Sequence, residues 1–215
     1  MKKAKQYLPL YGIMSLVMFA FIQCNMPEKE AESDQAISDT PAISGGDFYP
    51  IVSEKSGIEW TGKKITGSHN GNLSIQEGEF RVKDGEVLSG SFILDMNSIV
   101  VTDLEGKDKE DLETHLKDTD FFETHEFPTG KFVLTELEKA KDPAFTHEVF
   151  GNLTLKGITR RIQFPAVIRV EGEELLANAN FNIDRSLWGI KYKGRLDNVI
   201  QDEINLVVNI FARKN

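Results

Sequence analysis

The chain has 215 residues, 40% of them in the apolar set AVILMFWYC, enough to bury a sizeable core in one ordinary domain or two small ones. The single cysteine, Cys24, excludes a disulfide framework. A net charge of -9 argues against a nucleic-acid backbone or an anionic lipid surface as the main partner, because both demand an excess of Lys and Arg.

Lys2, Lys3 and Lys5 precede an apolar run from Leu8 to Ile22. The run is shorter than the roughly 20 residues a helix needs to cross a bilayer, and its flanks are those of a secretory signal. Residues 1–23 are therefore expected to be a signal peptide, which directs the chain to the periplasm or cell envelope. Phe21-Ile22-Gln23-Cys24 puts the sole cysteine where a bacterial lipoprotein signal carries its acylated residue, although Gln23 and Phe21 replace the small residue and the Leu usual there. Cys24 is thus the expected lipid attachment point and membrane anchor. Residues 24–46 follow, with Glu28, Glu30, Glu32, Asp34 and Asp39 against Lys29 and no aromatic side chain. Such a segment buries too little apolar surface to offset its ordering entropy, so it reads as a disordered acidic tether with a mean reach of roughly 25 Å.

From residue 47 to residue 215 short runs of β-formers alternate with turn signals, and eight strands are expected: Ile58–Gly67, Leu73–Val82, Glu86–Met96, Thr129–Leu137, Glu148–Leu155, Ile158–Val170, Leu175–Ile183 and Ile204–Ala212. Asn70-Gly71, Asp84-Gly85, Lys156-Gly157 and Glu171-Gly172 supply the glycine that tight hairpins use at positive φ. Gly85 is expected there and Gly46 is not. Phe80 and Val82, then Phe92, Leu94 and Met96, then Leu153 and Leu155 show the period of two of strands with one buried face. An antiparallel sheet of this many strands closes or folds onto itself to protect its edges, and the pattern alone leaves sandwich and barrel both open.

The alternation stops between Met96 and Thr129. Residues 108–116 read as a short helix, with acids in its first turn and Leu112, His115 and Leu116 on one face. A long excursion in a hairpin-linked sheet suits a lid over one end of a barrel. Phe121, Phe122 and Phe127 follow it and either fill the barrel mouth or line a ligand entrance. His115 and His125 lie near Asp118, Asp120 and Glu123, which by type can ligate a divalent ion, but the spacing is that of no compact zinc motif and lid packing is the simpler role. His69, beside Asn70-Gly71, reads as an exposed hairpin residue. There is no Gly-x-Ser-x-Gly elbow, no phosphate-cradling glycine loop and no cysteine in the folded part, so no enzyme, metal or cofactor is expected.

Five blocks occur in order: Glu59-Trp60-Thr61-Gly62-Lys63-Lys64-Ile65-Thr66-Gly67, Gly90-Ser91-Phe92 leading to Met96-Asn97-Ser98-Ile99, His115-Leu116-Lys117 with Asp120-Phe121-Phe122, Gly151-Asn152-Leu153-Thr154-Leu155-Lys156-Gly157-Ile158-Thr159, and Asp184-Arg185-Ser186-Leu187-Trp188-Gly189-Ile190. Together they resemble the YceI-like polyisoprenoid-binding family from about Phe48 to Phe211. The resemblance implies an all-β fold, an extended antiparallel eight-stranded lipocalin-like barrel with a short helical lid, whose tunnel holds an isoprenoid or similar lipid tail without catalysis or metal. Asp118-Thr119 and Phe127 depart from the family's usual residues beside the lid.

A tail of this kind needs little beyond an apolar wall, because its affinity comes from removing methylenes from water. Phe92, Leu94 and Met96 share one strand face and Phe132 and Leu134 another; with Phe121 and Phe122 they are the expected tunnel lining, the plain alternative for each being core packing. Lys191, Lys193 and Arg195 alternate along an extended segment and are the candidates for a prenyl diphosphate or quinone head, the plain alternative being a solvated face. The expected function is a carrier for an isoprenoid lipid or quinone. The alternative is a structural or interaction barrel filled by its own side chains.

Overall fold

A computed structural model describes residues 45–195 and 198–215, apart from the side chains of Arg195 and Asn198. The expected signal peptide, Cys24 and nearly all of the tether lie outside the described residues. Among the described residues, ten strands and one α-helix follow in chain order: β1 Asp47–Pro50, β2 Gly57–Lys64, β3 Gly67–Lys83, β4 Glu86–Val101, α1 Gly106–Lys117, β5 Thr129–Lys139, β6 His147–Leu155, β7 Ile158–Glu171, β8 Glu174–Asp184, β9 Gly194–Arg195 and β10 Asn198–Arg213. The order around the sheet is β3-β2-β10-β8-β7-β6-β5-β4, and β4 pairs back onto β3. Eight antiparallel strands therefore close into a barrel, which removes the edges an open sheet would present. β1 is the forward half of the β2 position: it pairs with Glu79 to Val82 of β3, β2 pairs with Gly67 to Leu73, and a single 3-10 turn at Ser53–Lys55 separates them.

Local chemistry sets the hairpins. Asp84 and Gly85 sit at φ 53° and 83°, and Lys156 and Gly157 at 47° and 68°. Two successive positive φ values match the twist of the flanking strands, as in a type I′ turn. Gly172, at φ 63°, opens the two-residue turn between Glu171 and Glu174. Asn70-Gly71 is different. Both residues lie within β3, and the turn falls at Ile65-Thr66 between the paired Lys64 and Gly67. Gly71 answers to space, because a Cβ there would lie 1.8 Å from the Val100 carbonyl oxygen and 2.6 Å from Trp60 Cζ2. Gly46, expected to be unconstrained, sits at φ 79° with the Val82 carbonyl 2.8 Å from where its Cβ would be.

β4 continues five residues past Met96, because Met96-Asn97-Ser98-Ile99 bulges out of register between the pairs Ser74↔Asp95 and Asn72↔Val100. The bulge is stitched by Ser74 N–H to Ser98 Oγ at 2.8 Å and by Ser98 Oγ–H to the Asp95 carbonyl at 2.6 Å. It buries both Met96 and Ile99 at 3% exposure and so breaks the period of two. Inward rows of β4 to β8 and β10 form one continuous core. At the end away from α1 the barrel is packed shut: Tyr49 is buried and donates its hydroxyl to the Gly172 carbonyl at 2.9 Å, beside the fully buried Leu175 and Ala212.

Candidate functional site

The core is not filled. A cavity of about 190 Å³ runs inside the barrel. It exceeds an engineered cavity of about 150 Å³ that accepts benzene, and falls below the roughly 300 to 1,000 Å³ of ordinary small-molecule pockets. A wall with this many aromatic residues keeps an open lumen because several rings lie flat over glycines. Phe80 lies over Gly90, where a Cβ would meet its ring at 2.5 Å, and Phe132 lies over Gly151, where the distance would be 2.2 Å. Trp60 covers Gly71 in the same way. Phe92 stacks on Phe132 with ring centroids 5.1 Å apart, Phe132 meets Phe164 at 5.9 Å, and Phe164 stacks on Phe181 at 4.0 Å.

All seven residues expected from the sequence, Phe92, Leu94, Met96, Phe121, Phe122, Phe132 and Leu134, border this one cavity. The first three come from β4 and the last pair from β5. Phe121 and Phe122 come from the segment after α1 and, with Leu112 and Leu116 of the helix, form the lid. The helix is held to the barrel by the Val101 N–H, which donates to Glu113 Oε1 at 2.8 Å. Phe127 does not border the cavity; its ring lies 3.1 Å from where a Cβ of Gly157 would be, over the β6–β7 turn. His115 packs edge-on against Phe121 and Tyr192, with centroids 4.9 and 4.6 Å away, which is a lid-packing role. Its Nε2 is buried with no hydrogen-bond partner among the described residues, as is Trp60 Nε1 on the cavity wall. His125 is exposed in a surface turn, with ligand atoms of Glu123 and Glu126 within 4.8 Å, and none of the three borders the cavity.

The polar residues of the wall concentrate at the lid end. Arg185 is 1% exposed and is held in place by the 3-10 turn Arg185–Trp188, which Asp184 caps through the Ser186 N–H at 2.8 Å and which Gly189 ends at φ 76°. Its guanidinium donates to the carbonyls of Gln201, Ile190 and Tyr192 at 3.2, 3.1 and 2.6 Å and pairs with Asp202 at 3.1 Å. Burial pulls its pKa down, opposed by Asp202 and Asp184, and a guanidinium so placed stays charged. Trp188, also 1% exposed, donates Nε1–H to the Leu153 carbonyl at 3.0 Å.

The expected head-group residues sit elsewhere. Lys191 is exposed, Lys193 is paired with Asp202, and neither borders the cavity. Residues 191–193 are not a regular strand, so the expected alternation does not apply to them. The Arg195 side chain lies outside the described residues. The bases that do reach the wall are Lys63, Lys64, His69 and Arg185, and no carboxylate accompanies them in the lining among the described residues. Lys64 and His69 close the inward rows of β2 (Ile58, Trp60, Gly62) and β3 (Ile75, Leu73, Gly71). His69 is thus a half-buried strand residue and not an exposed hairpin one. Lys64 Nζ is 2.8 Å from His69 Nε2, and His69 Nδ1 is 2.8 Å from Asp103 Oδ2. An ammonium can only donate, so Nε2 accepts and Nδ1 carries the proton toward Asp103. Burial acts to raise the Asp103 pKa, but the Asn70 N–H and His69 outweigh it and hold the carboxyl below its ordinary range.

An antiparallel eight-stranded barrel with a helical lid defines a class of β-barrel protein, and its fold is shared by solved structures of low sequence similarity. BcnA of Burkholderia cenocepacia is 17% identical, with a TM-score of 0.61 over 75% of this chain and 98% of its own. A polyisoprenoid-binding domain from Saccharophagus degradans is 13% identical, with a TM-score of 0.57 over 78% of this chain and 98% of its own. Residues 49–212 match the YceI-like domain, and the chain belongs to that family. UPF0312 proteins of Pseudomonas putida are 30% identical over 98 residues, 43% of this chain and 50% of theirs. The match thus spans about half the length of those curated relatives.

Proposed function

We propose that the protein is a non-catalytic carrier for a polyisoprenoid or similar long-chain lipid, an isoprenoid quinone or prenyl diphosphate among them, in the bacterial cell envelope. The observation that carries this is the cavity itself, an open lumen walled by Phe92, Leu94, Met96, Phe121, Phe122, Phe132 and Leu134 with no carboxylate among its lining residues. Each methylene moved into such a wall is worth about 0.8 kcal/mol, so a tail alone suffices for binding. Family membership and the printed name of the Saccharophagus domain point the same way. Anchoring through Cys24 is part of the proposal and rests on the sequence alone. A structural barrel with no lipid ligand is the second reading, favoured by a cavity volume below the usual pocket range.

Native mass spectrometry of the full chain, extracted gently from its native membrane, tests the first reading. A co-purified long-chain lipid is the expected result. A chain that carries none, and takes up none from a series of prenols and quinones, would overturn it. For the anchor, Cys24→Ala should move the chain from the membrane to the soluble envelope fraction, and unchanged membrane association, with the segment before residue 24 still attached, would favour an uncleaved anchor instead.

A further inference from the structure

We propose that the rim formed by Lys64, His69 and Lys63 is a subsite for an anionic head group, so that the ligand is a single apolar chain ending in a carboxylate or phosphate. This rests on the lipid-carrier reading and adds the head-group class to it. The alternation of β2 and β3 carries two apolar inward rows up to the lid end and finishes each with a base, Lys64 on β2 and His69 on β3. The two stand in diagonal register, where long side chains meet. A molecule with a net charge of -9 therefore presents to its cavity only cationic or neutral groups among the described lining residues.

The rim is ordered before any ligand arrives. Asp103 fixes the His69 ring through Nδ1, while its other oxygen accepts the Asn70 N–H at 3.1 Å. His69 Nε2 then accepts from Lys64 at 2.8 Å and holds the ammonium at the cavity mouth with two further N–H bonds to give. Asp103 stays outside the lining, so its charge orients the chain of contacts without occupying the head-group position. Arg185, the other base in the wall, is committed to three carbonyls and Asp202 and serves to hold the lid-end loop. Lys193 is bound to Asp202 away from the cavity.

The test is a binding series on the purified, delipidated full chain, read by the emission of Trp60, which borders the cavity. Farnesyl phosphate is compared with farnesol, and palmitate with hexadecanol, so that chain and head vary independently. The anionic member of each pair should bind about three- to ten-fold more tightly at low salt, with the preference shrinking as ionic strength rises. Lys64→Gln should weaken farnesyl phosphate and palmitate more than farnesol and hexadecanol and so abolish most of that preference, and His69→Gln, which removes the clamp on Lys64 but no formal charge, should reduce it in part. A preference in the phosphate pair alone assigns a phosphate head, and one in both pairs assigns a general anion site. Equal binding of acid and alcohol would overturn the head-group assignment and leave the carrier reading standing. So would a preference that responded to Lys193→Gln in place of Lys64→Gln. Binding of none of the four would overturn both.

Discussion

Two alanines on neighbouring strands should respond in opposite directions to the same enlargement. Ala179 on β8 borders the cavity, in phase with Phe181 and paired with Ala166 and Val208. Ala212 on β10 also belongs to the core but is 0% exposed and lies outside the cavity lining. Ala179→Leu adds three carbons toward empty space. At about 0.8 kcal/mol per buried carbon the gain is about 2.4 kcal/mol, reduced by about 0.5 to 1 kcal/mol for the rotamer freedom the new side chain loses. The lipid-free full chain should therefore become about 1.5 to 2 kcal/mol more stable, and its lipid affinity should fall because the added carbons occupy the tail's volume. Ala212→Leu has no space to enter and should cost about 1 to 3 kcal/mol by overpacking. Urea unfolding with an unchanged m-value measures the first quantity, and tryptophan emission during lipid titration measures the second. If Ala179→Leu destabilises as much as Ala212→Leu, the lumen is effectively closed and the structural-barrel reading is preferred.

Gly71→Ala, which would place a carbon 1.8 Å from the Val100 oxygen, should destabilise by at least 1 to 3 kcal/mol, whereas Gly62→Ala, with nothing within 4 Å, should stay within about 0.5 kcal/mol of wild type in the same urea assay. Arg185→Met strips donors from three carbonyls and leaves Asp202 with Lys193 alone, so a loss of about 3 to 5 kcal/mol is expected, and a loss under 1 kcal/mol would show the cluster to be dispensable. Asp103 has a folded-state pKa below its unfolded value of about 3.9, so its bonds stabilise the fold above that value and cease to do so as pH falls through the folded one. Asp103→Asn should thus lower stability at neutral pH, by under about 1 kcal/mol because the site is well solvated, with a deficit that shrinks as pH falls below the unfolded value; a deficit that did not shrink on acidification would contradict this.

The strands around Asp84-Gly85, Lys156-Gly157 and Glu171-Gly172 were legible because a turn's requirement for positive φ is local. Phe92, Leu94 and Met96 on one strand and Phe132 and Leu134 on another could be grouped for a similar reason, since period two states which side chains share a face, whereas Phe121 and Phe122 follow the helix outside any strand and were singled out only as aromatics beside the lid. Asn70-Gly71 misled because an identical dipeptide serves where another chain segment approaches too closely for a Cβ, and that segment, Val100, lies some thirty positions away. Reading a turn there cut β3 short and hid His69, the last inward residue of its row. The Met96 to Ile99 bulge was illegible because it buries side chains out of phase. Nor could Lys193 be separated from Lys64 by type: only closure of the barrel shows that one base meets Asp202 outside and the other reaches the lumen.

β10 has a consequence for how the barrel is made. It pairs with β8, just before it in the chain, and with β2, more than a hundred positions earlier, and those two ladders close the ring. Contacts of such sequence separation form late, because loop-closure entropy is spent before they contribute. Until β10 docks, β2 and β8 both present open hydrogen-bonding edges beside a largely formed apolar face, the kind of surface that recruits other chains. During synthesis that strand emerges after the other strands of the barrel. The barrel therefore has no smaller closed precursor: chains truncated before Ile204 should aggregate rather than fold, and refolding of the whole chain should be slow, in the millisecond-to-second range of strongly non-local β topologies.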